Sequence, residues 1–141
     1  MKIKFFLLLS SLILQSQLKA VSLGDSKLPT QEEVLQTGNP LTITLYANRE
    51  KYKKNPIVPK TDTLCECLQK HSLLSSPWIH EKYFSKDIAS AYNDGASEKG
   101  IEDVIKKNES YKAIPEITQK YLMANLMQAF LDCRKATRSH R

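Results

Sequence analysis

Apolar residues recur at helical spacing along most of this chain, and turn-forming residues divide the pattern into segments. In the first segment, Thr30 and Glu33 have the spacing of a capping box, and Gly38 supplies a C-terminal stop signal. We therefore predict a short helix that ends near Thr37.

The next segment, residues 41–47, fits two structures. Its apolar residues alternate with threonines as in a strand, whereas Asn39 as N-cap and Pro40 in the first turn fit a helix. We favour the helix, because a lone strand would leave its backbone groups unpaired. Residues 49–60 are basic, polar and end near prolines, so we expect a solvated surface stretch there.

The helical pattern is clearer beyond residue 61, where Asp62 or Thr63 caps the first of four predicted helices. The third of them is expected to fray at residues 108–110. Their approximate bounds are 62–74, 76–92, 97–107 and 114–135.

The last of these helices indicates how the fold is built. One narrow stripe along it is polar and consists of Asn125, Gln128, Asp132 and Lys135. The rest of its circumference is apolar, which is typical of a helix packed on several sides by others. The predicted fold is therefore all-α: a small domain of four to six helices around a central C-terminal helix.

Residues 1–20 have the anatomy of a secretory signal. Lys2 and Lys4 precede a run of about ten apolar residues, too short to span a bilayer but typical of a signal peptide. We expect cleavage after Ala20 or Ser22, and a periplasmic or secreted protein. No later segment is apolar for long enough to be a transmembrane helix.

Beyond the signal we expect one domain. Residues 21–40 form a flexible or short-helix lead-in, residues 41–137 a single helical domain and residues 138–141 a basic tail. The full chain has 21 Lys and Arg against 15 Asp and Glu. Lys2, Lys4 and Lys19 leave with the signal, so 18 basic side chains remain and the net charge falls from +6 to +3. This modest charge, together with export, argues against nucleic-acid binding.

The chain has three cysteines, Cys65, Cys67 and Cys133, and export would expose them to oxidation. Residues two apart on a helix point in nearly opposite directions, so Cys65 and Cys67 are badly placed to bond together. We expect one of them, with a slight preference for Cys67, to form a disulfide with Cys133. A loop of about 67 residues closed in this way corresponds to about 4 kcal/mol of stability. The leftover thiol is either buried and inert or links two chains into a homodimer.

A metal site is the competing hypothesis for these residues. Cys67 and His71 are four apart on one helical face, and Cys65 and Cys133 complete a set of four ligands. Oxidation and the absence of a Cys-x-x-Cys pair favour the disulfide. The chain also lacks a nucleophile elbow and a phosphate-binding glycine loop, so we expect neither an enzyme nor a cofactor.

The C-terminal end is strongly basic. Its cations are candidates for binding an acidic partner or anionic lipid headgroups. Cations at helix ends and solvated tails are common, however, and we favour a solvated helix end without a binding role. The four residues are Arg134, Lys135, Arg138 and Arg141.

Residues 65–133 resemble two groups of small exported helical bacterial proteins. The run Thr63-Leu64-Cys65-Glu66 is similar to the start of the acid-stress periplasmic chaperones, which implies a disulfide to a later helix. The run Ala129-Phe130-Leu131-Asp132-Cys133 is similar to the end of periplasmic immunity proteins that neutralise type VI secretion toxins. The extra cysteine and the long basic N-terminal region depart from both groups.

The expected function is therefore binding of another protein, as a chaperone or as an inhibitor or immunity protein. The sequence does not identify the protein partner. The alternative is a metal-binding or thiol-reactive protein that uses Cys65, Cys67, His71 and Cys133.

Overall fold

The computed structural model describes residues 28–76, Ile79 and residues 85–139, with the backbone alone for Ser85, Arg138 and Ser139. Throughout these residues the regular structure is helical, which confirms the predicted all-α class. They form α1 (Gln31–Gln36), α2 (Pro40–Lys54), α3 (Leu64–Lys70), α4 (Ser85–Asn93), α5 (Glu98–Lys107), α6 (Glu109–Lys112) and α7 (Glu116–Ser139). A 3₁₀ turn, Ser72–Leu74, follows α3.

Helix α1 is the predicted short helix. Thr30 and Glu33 form both hydrogen bonds of the capping box, and Gly38 has a φ of 60°, a backbone conformation that glycine adopts without steric cost. The Val34 side chain is fully buried in the core. Part of the expected lead-in therefore packs against the helical domain.

Helix α2 settles the choice between strand and helix at residues 41–47. The Asn39 side-chain oxygen accepts hydrogen bonds from the backbone N–H groups of Leu41 and Thr42, and Pro40 occupies the first turn. The helix continues to Lys54, further than the pattern indicated. The expectation that residues 49–60 are all solvated is wrong at Arg49, which is only 5% exposed because it bonds α7.

The predicted helix 62–74 is interrupted at His71. Thr63 is its N-cap, and α3 ends at Lys70. His71 has an extended backbone (ψ 133°), and its Nδ1 accepts a hydrogen bond from the Leu73 N–H at 3.1 Å. The side chain thus caps the 3₁₀ turn and ends the α-helix four residues early.

Helix α6 is one that the sequence pattern does not predict. Residues 108–110 were expected to fray, but the Asn108 side chain accepts from the N–H groups of Ser110 and Tyr111 and starts the single turn α6. This turn raises the helix count of the described residues above the expected four to six. The described part of predicted helix 76–92 is α4, whose Ile88 is fully buried.

Helix α7 is the central element, as predicted. It packs against α2, α3, the 3₁₀ turn and α5, and its Leu122, Leu126 and Phe130 side chains are almost entirely buried. None of the helices in the described part of the chain is both long and apolar enough to cross a membrane. The polar stripe of α7 also lies partly in the interior, where Asn125 is fully buried.

If α1 is part of the packed domain, Val34→Ala will lower the free energy of unfolding by about 2 kcal/mol, because it removes two buried methyl groups. Leu35→Ala is the matched control, since Leu35 is the neighbouring residue and is 55% exposed. We expect the control to change stability by less than about 0.5 kcal/mol. Urea unfolding followed by circular dichroism measures both, and equal effects would contradict the packing of α1.

Candidate functional site

A disulfide joins α3 to α7. Cys67 and Cys133 are bonded, with Cα atoms 5.6 Å apart, and both are fully buried. The prediction of one disulfide to Cys133, with the slight preference for Cys67, is confirmed. Cys65 is the free cysteine; it is half-buried and packs against the edge of the core.

Asp132, the residue before Cys133, is the centre of a polar cluster. Its Oδ2 accepts hydrogen bonds from the Tyr52 hydroxyl at 2.7 Å and from His71 Nε2 at 3.0 Å. Its Oδ1 accepts from Gln128 Nε2 at 3.0 Å. One carboxylate thereby connects α2, the α3–3₁₀ junction and α7.

Both ring nitrogens of His71 are occupied. Nδ1 accepts from the Leu73 N–H and therefore carries no proton, so Nε2 carries it and donates to Asp132. The imidazole is fully buried beside the Tyr52 ring, with the ring centroids 5.5 Å apart. A general base needs a nitrogen that can reach substrate, and neither nitrogen here does.

The cluster shifts two pKa values. Burial raises the pKa of the Asp132 carboxyl, but hydrogen bonds from His71, Tyr52 and Gln128 together outweigh burial and hold it below its usual range. Burial, reinforced by the neighbouring Asp132 carboxylate, raises the pKa of the Tyr52 hydroxyl well above its usual value. At neutral pH the pair is therefore a carboxylate and a neutral phenol.

A second group of polar contacts extends the cluster along α7. The buried Asn125 amide donates to the backbone oxygens of Leu45 at 3.0 Å and Leu73 at 3.2 Å. Its Oδ1 accepts from Arg49 Nη1 at 3.2 Å. Asn48 also donates to the Leu73 oxygen, at 3.4 Å. The polar stripe thus binds α2 and the 3₁₀ turn to α7.

The structure does not assemble the hypothetical metal site of Cys65, Cys67, His71 and Cys133. The disulfide occupies the sulfurs of Cys67 and Cys133, and His71 bonds Asp132 instead. Across the residues that the structure describes, no group of three or more His, Cys, Asp and Glu side chains could hold a metal ion.

Of the four basic C-terminal residues, the structure describes the side chains of two. Arg134 bonds Glu98 on α5 at 3.0 Å and lies over the Phe130 ring, 5.4 Å from its centroid. Lys135 is exposed on the last part of α7. The Arg138 side chain and Arg141 lie outside the described residues.

A surface segment at the C-terminal end of α2 has the composition of a binding loop. Residues 51–60, named here the lysine loop, comprise the last turn of α2 and the chain that follows it. They contain no acidic residue and four exposed lysines: Lys51, Lys53, Lys54 and Lys60. At its tip Ile57 is 62% exposed, the largest exposed fraction among the large apolar side chains in the described regions.

Both ends of the lysine loop are held by the fold. The Asn55 N–H donates to the Lys51 oxygen at the end of α2, and the half-buried Val58 packs against the core. The Pro59 carbonyl oxygen lies 3.6 Å from the Cys67 sulfur. The loop is therefore attached directly beside the disulfide.

Searches against protein-family models, characterised proteins and solved structures found no significant match to this chain.

Sequence reasoning placed Asp132 in the correct polar stripe, but it placed His71 inside a continuous helix and missed the contact between the two residues. The signal for a contact was weak, since the two residues are 61 positions apart. The one available indication was the polar stripe of α7. Because the rest of the surface of that helix is apolar and packed, polar partners were to be expected opposite the stripe.

If the cysteines are paired as described, alkylation in denaturant without reductant will modify one thiol per chain, at Cys65. Prior reduction will expose all three cysteines and lower the free energy of unfolding by about 4 kcal/mol. Mass spectrometry counts the alkyl groups. Cys65→Ser is the control, and it should carry no alkyl group before reduction. Three modified thiols without reductant would contradict the disulfide.

Asp132→Asn should lower the free energy of unfolding at pH 7 by about 2 to 3 kcal/mol, because it leaves buried donors without an ionised acceptor. The pKa of the Asp132 carboxyl is lower in the folded state than in the unfolded state. The ionised carboxylate therefore stabilises the fold fully above about pH 4, the ordinary range of an aspartate. This stabilisation disappears as pH falls through the folded-state pKa.

Stability curves of wild type and Asp132→Asn, measured by urea unfolding from pH 7 to pH 2, should therefore converge in acid. The exposed Glu116, whose side chain pairs with Lys120 at 3.6 Å, provides the control Glu116→Gln. Parallel curves for wild type and Asp132→Asn would show that the carboxylate does not stabilise the fold as described.

Proposed function

We propose that this protein is exported and acts by binding another protein, as an inhibitor or immunity protein does, rather than by catalysis. The observation that carries the proposal is the lysine loop. It presents one large apolar side chain, Ile57, among four lysines on a helical frame cross-linked at its base.

The loop has the properties that reduce the cost of binding. Pro56 and Pro59 restrict the backbone on either side of Ile57, and the contacts of Val58 and Pro59 hold the loop against the core. A loop already held in one conformation loses little entropy when a partner docks. An exposed isoleucine at its tip would contribute apolar area at the centre of the interface.

The charge of the loop indicates the partner. Four lysines without an acidic residue favour a protein with an acidic surface around an apolar depression. Complementary charge of this kind accelerates encounter and selects the partner, while the buried apolar contact supplies affinity.

Export is supported by two features. The first 20 residues have the pattern of a signal peptide, and a disulfide between two buried cysteines is compatible with an oxidising compartment. The proposed location is the periplasm or the extracellular space.

A chaperone is the second candidate, and the Asp132 cluster favours it. Because the cluster depends on an ionised carboxylate, acid would weaken the contact of α2 and the 3₁₀ turn with α7. Buried apolar residues beneath these elements would then become accessible. A chaperone should bind a hydrophobic dye reversibly in acid, whereas an inhibitor should show one tight partner at neutral pH.

The metal-binding or thiol-reactive alternative requires reduced Cys67 and Cys133. Purified protein would then contain stoichiometric metal, or two to three free thiols. Elemental analysis for metal and a count of alkylated thiols without reductant, both on protein isolated from its native compartment, separate this alternative from the binding proposal.

The binding proposal is tested by capture from the native organism with purified wild type, Ile57→Asp and Leu35→Asp. We expect one stoichiometric partner with wild type and with Leu35→Asp, and at least a tenfold loss of that partner with Ile57→Asp. Both variants place a charge at an exposed apolar site, one in α1 and the other beyond the end of α2. Equal capture by the two variants would contradict a role for the loop.

A further inference from the structure

The 3₁₀ turn Ser72–Leu74 is held by hydrogen bonds at both polar groups of the Leu73 backbone. The Leu73 N–H donates to His71 Nδ1 at 3.1 Å, and the Leu73 carbonyl oxygen accepts from the Asn125 amide of α7 at 3.2 Å. The Leu73 and Leu74 side chains are almost fully buried in the core. Because the Leu73 N–H is itself buried, water does not readily replace His71 as its acceptor.

The His71 ring has one position at which it can take up a second proton. Nε2 already carries a proton and donates it to Asp132, so the second proton enters at Nδ1. Nδ1 then becomes a donor and faces the Leu73 N–H, which is also a donor. Two donors 3.1 Å apart repel each other, so the hydrogen bond that caps the turn is lost. A doubly protonated ring and a capped turn therefore exclude each other.

The same proton strengthens the contact of the ring with α7. The bond between His71 Nε2 and Asp132 Oδ2, 3.0 Å long, then joins two ionised groups of opposite charge in a partly buried site. The Tyr52 ring packs on the imidazole from α2, with the ring centroids 5.5 Å apart. The imidazolium is thus held more firmly than the neutral ring, and the turn is the part that moves.

The groups around the imidazole keep their charges in mild acid. Asp132 of α7 is ionised there, because hydrogen bonds hold the pKa of its carboxyl below the usual range, and Tyr52 of α2 is neutral, because burial raises the pKa of its hydroxyl. Arg49, which acts on the Tyr52 hydroxyl, stays positive. The disulfide between α3 and α7 does not titrate. A histidine side chain ordinarily changes its charge between about pH 5 and pH 8.

We propose that His71 makes the 3₁₀ turn a pH-dependent switch. At neutral pH the ring caps the turn, and in mild acid a second proton on the ring releases the Leu73 N–H while Asp132 retains the ring. Leu73 and Leu74 then become accessible to water. This response precedes the loss of the Asp132 contacts, which requires acid below about pH 4. The switch concerns the fold of one chain and does not depend on the binding function proposed above.

The test is amide hydrogen exchange of the disulfide-bonded protein, followed by ¹H–¹⁵N NMR between pH 7.5 and pH 5. Each exchange rate is compared with the rate of an unfolded chain at the same pH, which gives a protection factor. We expect the protection factor of the Leu73 amide to fall by about tenfold or more, in parallel with the titration of the His71 ring nitrogens. The downfield signal of the Nε2 proton should persist, because Asp132 still accepts it.

Helix α6 provides a control within the same molecule. The Asn108 side chain accepts from the Ser110 N–H at 2.8 Å, with the same two-residue spacing as His71 and Leu73, but an amide does not titrate. The protection factor of the Ser110 amide should therefore stay constant. An equal fall at Ser110 and Leu73 would indicate general unfolding and would overturn the switch.

Two variants assign the response to the ring. In His71→Asn the side-chain oxygen can still accept from the Leu73 N–H, as asparagine does at helix starts, but it takes up no proton in this range. The protection factor of Leu73 should then be independent of pH. His80→Gln removes a histidine that lies outside the described residues, and it should leave the wild-type response unchanged.

Three further results would contradict the switch. In the first, the Leu73 protection factor stays constant while the imidazole titrates. In the second, the imidazole takes up no second proton down to pH 5. In the third, the Nε2 proton signal is lost while Leu73 stays protected, so that the ring moves and the turn does not. Wild-type protein alone distinguishes these results, so the test does not require either variant to fold.

Discussion

The fold depends on one partly buried carboxylate. Asp132 accepts hydrogen bonds from α2, from the junction after α3 and from α7 itself, and the adjacent Cys133 forms the disulfide to α3. Two successive residues of the central helix therefore make its covalent connection and a polar connection to two other elements. Elements that are far apart in sequence converge on this point.

The two connections respond to different conditions. The disulfide is lost only on reduction, whereas the contacts of Asp132 are lost in acid, when the carboxylate takes a proton. A chain that meets an oxidising compartment would keep the cross-link while its polar contacts respond to pH.

Much of the fold follows from local signals. The side chains of Thr30, Asn39, Thr63 and Ser97 accept hydrogen bonds from backbone N–H groups at the helix starts where the sequence places them. The disulfide could also be predicted, because helical geometry separates Cys65 from Cys67 and the pattern places Cys133 on an apolar face.

The polar interior could not be predicted in the same way. Periodicity shows which residues share a face, but not what lies opposite that face. Arg49 therefore seemed solvated with its lysine neighbours, although Asn125 of α7 binds it in the interior. His71 seemed part of a continuous helix, although its contacts with Leu73 and Asp132 end that helix. Such long-range pairs appear only when the helices are packed.

The contacts around Asp132 hold His71 between the Leu73 N–H and the Asp132 carboxylate in one tautomer. Long-range ¹H–¹⁵N NMR of the imidazole at pH 7 measures this tautomer directly. We expect a proton on Nε2 and an unprotonated Nδ1, in wild type and in Cys65→Ser alike. A proton on Nδ1, or an averaged mixture of the two tautomers, would contradict it.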